Sequence, residues 1–525
     1  MHLVAVVPIF MSAGAAVLPT VAAAAASVLA LLFKPRELFR LCRRRPMAAC
    51  SAGALASLAI LLLVWWIETP APAHPVARVP ARPDWARVAQ DIIAQAPLHP
   101  AATAAAGEAP PPPPLPAPAA ARPQDFTRCL FLGGASPAHL APLWTYRPEA
   151  TMFISTPAVA GQRIFAAGCA SDLGGYTGLL ACLDADRGKI IWQIAALNND
   201  DLKPFFSSPA LSADGRYVVI GQGLHDDKDC SLLCFEAETG KLHWAAKTTL
   251  HIESSPAIFG DMAVVGAGAI EGRDGRATGD PGFVFAVRIS DGQELWRQAL
   301  NDPESEPVID DAGMVYIGSG FNGNAVAAIR SGAEGELKAQ GLPRLAWKTA
   351  VDYPVTGPLT LAGDRVIAGG GNGDLVHSNV NAKGQVLALD RKTGAIVWKV
   401  STDDAMLGSM ACRDDAVICP CRSGEILALS VKDGKLLWRT RISGKAPVLA
   451  GCAFTDQRIY ALSSDGYLAL LDPKTGVVLE KVFVNDAGRP GMGLCLSSPV
   501  VAGGRVIVGT ETGGLKCLAG AGGTP

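Results

Sequence analysis

The chain has 525 residues and a net charge of -2, with 56 Gly, 38 Pro and 13 Cys. Near-neutrality removes any charge-driven attraction to nucleic acid. The cysteines form no adjacent pair, no C-x-x-C and no C-x-x-C-H, so structural zinc and c-type haem have no support, and the odd count argues against a fully paired disulfide framework.

Residues 3–33 are almost wholly apolar, and 47–67 form a second apolar run that ends on Trp65 and Trp66. About 20 such residues span a bilayer, and Trp suits the interface. Between the runs lie Lys34, Arg36, Arg40, Arg43, Arg44 and Arg45 against Glu37 alone. Cytoplasmic loops hold the excess of Lys and Arg. The pattern therefore predicts transmembrane helices over 1–33 and 47–67, a cytoplasmic loop over 34–46, and export of everything after Ile67. A cleaved signal peptide is the rival reading. It fits poorly because the first run is long and no Lys or Arg precedes it.

Residues 68–125 are rich in Pro and Ala and end in APPPPPLPAPAAARP. Such a tract buries little apolar surface and favours extended polyproline II, so it reads as a linker. One island, DWARVAQDIIAQ at 84–95, sets Trp85, Val88, Ile92 and Ile93 near helical spacing behind Asp84 as N-cap, which predicts a short helix.

The remainder, 126–525, is a repeat. A strand-one slot falls at Pro157, Pro209, Pro256, Pro307, Pro358, Met410, Gly451 and Pro499. A strand-two terminal slot follows at Gly168, Gly221, Gly266, Gly318, Gly369, Pro420, Leu462 and Gly509. A strand-four slot holds Trp192, Trp244, Trp296, Trp347, Trp398 and Trp438, then Glu480. Four short strands per 40–50 residues is the signature of a propeller blade. The count gives eight starts and seven ends, so the N-terminal segment LWTYR, with Trp144, is expected to complete the last blade. Eight blades is the arithmetic answer and seven the fallback. Gly188, Gly240, Gly292, Gly394, Gly434 and Gly476 each lie four residues before the strand-four slot and suit a turn of positive φ. The Trp can then lie between blades, its N–H seeking a backbone acceptor. Blade four replaces this turn with a longer excursion. Blade seven lacks the Trp, so its junction is expected to be the weakest.

The run A-L-D-x-x-T-G-x-x-x-W at Ala388, Leu389, Asp390, Thr393, Gly394 and Trp398 resembles the tryptophan-docking motif of pyrroloquinoline-quinone (PQQ) repeats, with partial copies at 182–192, 234–244 and 428–438. That family includes quinoprotein alcohol dehydrogenases and BamB-like scaffolds. The resemblance implies an all-β, eight-bladed propeller over about 144–520. One branch of the family binds the quinone and calcium; the other is non-catalytic. The adjacent-cysteine disulfide of the dehydrogenases has no counterpart here, nor can their calcium ligands and Asp base be placed on matching motifs.

Placed in register, most apparent chemistry belongs to the scaffold. Cys182, Cys234 and Cys517 take the Ala slot of the docking motif, where a small buried residue is needed. The Gly clusters end strand two with no helix behind them, so they are not phosphate loops. His225 and His251 lie near loops and could be ligands, but without metal-ligand spacing they read as solvated. No catalytic, cofactor or metal residue is assigned. The long loops between strands two and three in blades one, two, three and five share a face with the connections between blades. They place Asp226, Asp227, Asp229, Glu271, Asp274, Asp280, Asn372, Asp374 and Asn379 around one rim, a partner or ligand surface against the alternative of solvated loops. The expectation is a non-catalytic scaffold, anchored in the bacterial inner membrane with the propeller on the periplasmic side, binding other envelope proteins or an extracytoplasmic ligand. No cofactor is expected. The alternatives are a PQQ-dependent dehydrogenase holding PQQ and calcium, and a sensor for a small ligand or polysaccharide.

Overall fold

The computed structural model describes residues 130–520, apart from 173–174, 199, 226, 271–276, 278, 377 and 490. The two expected transmembrane helices, the basic loop, the linker and the short helix over 84–95 lie outside the described residues. Among the described residues no helix is long and apolar enough to cross a membrane.

Eight antiparallel sheets form the blades of a propeller, seven of four strands and blade one with Thr151–Met152 added as a fifth. Seven run in sequence order from the inner strand outward. The eighth joins Val500–Ala502, Arg505–Gly509 and Leu515–Gly520 to Leu140–Tyr146 from the other end of the described chain, with Trp144 opposite Cys517. The N-terminal strand thus closes the ring and pairs what would be an open edge.

Burial follows from position in the blade. The middle strands are covered by neighbouring blades on both faces, so they read as unbroken apolar runs: Met262–Ala267 is buried at every residue and Phe283–Arg288 at all but the last. Outer strands alternate, as in Leu242–Lys247, because one face meets solvent. Between blades six and seven, Ile418, Ile426 and Ala428 pack with Ile459, Ala461 and Leu471.

The junctions explain the Trp–Gly spacing. Trp192 of blade one lies on Gly240 of blade two and donates its indole N–H to Ala237 O at 3.1 Å. Trp144 does the same to Gly188 and Ala185 O at 2.9 Å. Trp244, Trp347, Trp398 and Trp438 repeat this on Gly292, Gly394, Gly434 and Gly476. All six glycines have φ between +65° and +74°. A Cβ there would be strained and would run into the indole. The Asp of the motif fixes the turn: Asp390 Oδ1 accepts from the Thr393 N–H at 2.8 Å and from its hydroxyl at 2.8 Å. A bulge opposite each Trp turns the ring toward the next blade, and the skipped residue, such as Leu437 or Leu143, is left exposed on the outer edge.

Two junctions differ. The excursion of blade four contains a short helix, Glu334–Ala339, where the Gly turn would stand. Arg344 covers Trp296 instead, its guanidinium carbon 5.0 Å from the ring centre, and the buried Trp296 Nε1 has no acceptor among the described residues. At the blade-seven junction, Glu480 accepts the His139 and Leu140 N–H groups at 2.6 and 2.7 Å. Tyr460 donates to Pro137 O at 2.6 Å. A polar clamp on the closing strand stands where the Trp is absent.

Two sequence readings need correction. The blade-one segment expected to be a long loop is a long hairpin: Arg163–Asp172 pairs with Gly175–Asp184, because Ala170 and Ser171 continue the ladder opposite Thr177 and Tyr176. The strand-one slot also slides by one residue in blades five and seven. Thr360 opposite Ile367 and Ala453 opposite Tyr460 put the slot at Leu359 and Cys452, not at Pro358 and Gly451.

Candidate functional site

The inner strands and their approaches surround a central cavity of about 1120 Å³. The segment just before each inner strand, S-S-P or S-T-P in several blades, builds its wall. The last hydroxyl of this segment latches one blade to the next. Ser498 N–H donates to Thr156 Oγ1 at 3.1 Å, Thr156 N–H to Ser208 Oγ at 3.0 Å, and Ser208 N–H to Ser255 Oγ at 2.9 Å.

Two residues before that hydroxyl position, each blade presents one side chain to the cavity: Ile154, Phe206, Glu253, Glu304, Thr356, Leu407, Leu449 and Leu496. Six are apolar or uncharged; two neighbours are glutamates. The cavity is therefore polarised. Leu407 and Leu449 pack together with Leu375 and Leu496 on one side. Glu253 and Glu304 stand in blades three and four on the other.

The acidic side gathers two histidines. His225 comes from the strand-two-to-three loop of blade two, His251 and Glu253 from the connection between blades two and three, and Glu304 from the next connection. His225 Nδ1 is 3.5 Å from Glu253 Oε1 and 3.2 Å from Glu304 Oε1. His251 Nδ1 is 3.9 Å from Glu253 Oε1. His251 is fully buried, and its Nε2 lies 2.9 Å from Ala269 O. A carbonyl accepts only, so Nε2 carries the proton and Nδ1 presents a lone pair. Burial holds the His251 pKa below its ordinary value, which keeps this neutral form. Burial also raises the Glu304 carboxyl to about 7, against the pull of His225. Asp302 is committed to structure: its Oδ1 accepts from Ala269 N–H at 3.1 Å and its Oδ2 from Asn322 N–H at 3.0 Å.

The reading of His225 and His251 as solvated loop histidines is overturned for His251, since burial beside two carboxylates leaves it no solvent. The expected rim residues do not converge on one point. Asp374 lines the cavity. Asp227 accepts the Leu224 N–H, Asp280 the Gly282 N–H and Asn379 the Asn381 N–H, each closing its own loop turn. Asn372 joins Asn381 and Lys383 across the blade-five loop. Asp229 sits exposed at φ +54°. Asp226, Glu271 and Asp274 lie outside the described residues. Glu253 and Glu304 were missed by sequence reading, although a signal existed: both stand three residues before the slot Pro, where the other blades put an uncharged residue.

The cysteines stay in the scaffold. The ten described cysteines are free and buried. Burial pushes the Cys182, Cys234 and Cys517 thiols up to about 12, far from thiolate reactivity. Nor does the cavity fit pyrroloquinoline quinone. That quinone is a tricarboxylate, and the described lining holds no Lys or Arg while presenting Glu253, Glu304, Glu306 and Asp374.

Fold and junctions together define a PQQ-like repeat propeller. The family described as outer membrane protein assembly factor BamB matches residues 137–381, 286–446 and 344–524, and the chain belongs to it. It is 23% identical over 367 residues to outer membrane protein assembly factor BamB of Bordetella pertussis, covering 68% of this chain and 81% of that protein. It is 25% identical over 236 residues to the dehydrogenase subunit of a quinone alcohol dehydrogenase of Gluconobacter oxydans, covering 42% of this chain and 29% of that one. Among solved structures, BamB of Moraxella catarrhalis aligns with a TM-score of 0.52 at 18% identity over 74% of this chain and all of that one. A europium-containing methanol dehydrogenase aligns with a TM-score of 0.53 at 14% identity over 75% of this chain and 89% of that one. The two structural likenesses show the fold alone.

Proposed function

We propose that the chain is a non-catalytic, membrane-anchored scaffold displayed outside the cytoplasmic membrane of a bacterium, binding other envelope proteins in the manner of BamB. The carrying observation is the family match, which runs through all eight blades. Two further points support it. The basic loop between apolar runs gives an inner-membrane anchor with the propeller on the periplasmic side. The cavity pairs an apolar side with an acidic one, a surface that can take apolar anchors and basic groups from a partner.

The competing reading is a quinone-dependent dehydrogenase, with PQQ and calcium as cofactors, and it rests on the Gluconobacter relative. The full chain in detergent, given pyrroloquinoline quinone and calcium, separates the two. The scaffold reading expects neither stoichiometric quinone binding nor dye-linked alcohol oxidation. Tight one-to-one binding with turnover would overturn it.

A further inference from the structure

We propose that His225, His251 and Glu253 form a binding site for a divalent transition-metal ion of the zinc type, on the acidic side of the central cavity. The inference goes beyond the scaffold reading and does not depend on it.

One ring nitrogen of each histidine and a Glu253 carboxylate oxygen lie within 4.8 Å of one another. Ligands around a tetrahedral zinc, with bonds near 2.0–2.1 Å, stand about 3.3 Å apart. The separations of 3.5 Å from His225 to Glu253 and 3.9 Å from His251 to Glu253 need only small side-chain movements to reach that. An independent sign is the buried His251 Nδ1. It has no hydrogen-bond partner among the described residues, and the Ala269 carbonyl holds the proton on the opposite nitrogen. A metal-bound histidine is held in this way, its second nitrogen donating to a backbone carbonyl. An uncompensated lone pair in a buried site costs free energy unless something binds it.

The donor set selects the metal. Two imidazoles and a carboxylate suit zinc, copper, nickel or ferrous iron, whereas calcium takes six to eight oxygens. Glu304 Oε1, 3.2 Å from His225 Nδ1, places a second carboxylate beside the first. Together the two anions balance a 2+ charge, which a buried position requires. His225 is about half exposed toward the cavity, so a coordination position is left open on that side. The three ligands come from blade two and the connection that follows it, so the ion would tie the strand-two-to-three loop of blade two to the wall of the ring.

The test is zinc titration of the chelator-stripped full chain in detergent, followed by calorimetry and by X-ray absorption at the zinc edge. We expect one zinc per chain, two imidazoles in the first coordination sphere, and affinity reduced about a hundredfold in His225→Gln and in Glu253→Gln. His225 is partly exposed, so His225→Gln should keep the wild-type melting temperature in chelator, which separates ligand loss from misfolding. Zinc uptake unchanged in both variants, no stoichiometric uptake by the wild type, or a sulfur-coordinated edge from the buried cysteines would overturn the proposal. So would calcium binding in preference to zinc.

Discussion

The outer belt and the inner wall of the propeller are built from the same eight repeats, yet they treat the repeat differently. Around the belt, six junctions carry the same Trp on the same positive-φ Gly, with the indole N–H on the next blade's turn. Along the wall, the repeat is kept where Leu407, Leu449 and Leu496 face the cavity and broken where Glu253 and Glu304 take the equivalent places. A repeat that is kept serves closure and packing. A repeat broken by charge in a buried position costs stability, and such a cost marks function.

The largest effect should come from the belt. Trp144→Ala removes the indole that closes blade eight onto blade one, and we expect about 3 kcal/mol of lost stability by denaturant melting. Gly394→Ala puts a Cβ at φ +74° against the Trp347 ring and should cost about 2 kcal/mol in the same assay.

The wall sharpens the contrast through pH. Burial raises the folded Glu304 carboxyl to about 7, above its ordinary value of 4.5. Between those values the folded state binds more protons than the unfolded one, so stability falls as pH rises through the window. In chelator, Glu304→Gln should flatten that slope, gaining on the order of 2 kcal/mol relative to the wild type between the acid and neutral ends. Equal slopes would mean that the buried carboxylate carries no penalty.

Smaller effects test the two irregular junctions. Glu480→Ala strips the acceptor from two N–H groups of the closing strand and should cost about 1 kcal/mol. A value well above that of Trp144→Ala would make the clamp, not the indole, the closing element. Trp438→Phe loses the bond to Pro473 O and should cost about 1 kcal/mol more than Trp296→Phe, whose N–H has no acceptor among the described residues.

The belt was legible in the sequence because its residues are rare and regularly spaced. Trp and a turn Gly four residues apart fix the blade count, and the surplus strand-one start pointed to Trp144. The slot slipped by one residue in blades five and seven because a Pro marks only the approach to a strand, while pairing across the hairpin sets its register. The blade-one hairpin hid behind Gly and Asp residues that usually mark loops. The wall was harder to read. His251 and Glu304 are separated by a whole blade in sequence, and the packing of consecutive blades brings His225 within 3.2 Å of Glu304. The rim acids looked functional by type, but Asp227, Asp280 and Asn379 spend their oxygens on their own turns.

On the scaffold reading the cavity face is the working surface and the belt serves closure. Paired photo-crosslinking in intact membranes tests it most directly. One probe replaces Phe321, exposed at the cavity, and the other replaces Leu437, exposed on the outer edge. Discrete adducts with envelope proteins are expected from position 321, lost when Glu253 and Glu304 are both changed to Gln, and none from position 437. Adducts from 437 alone, or adducts from 321 indifferent to those two changes, would contradict it.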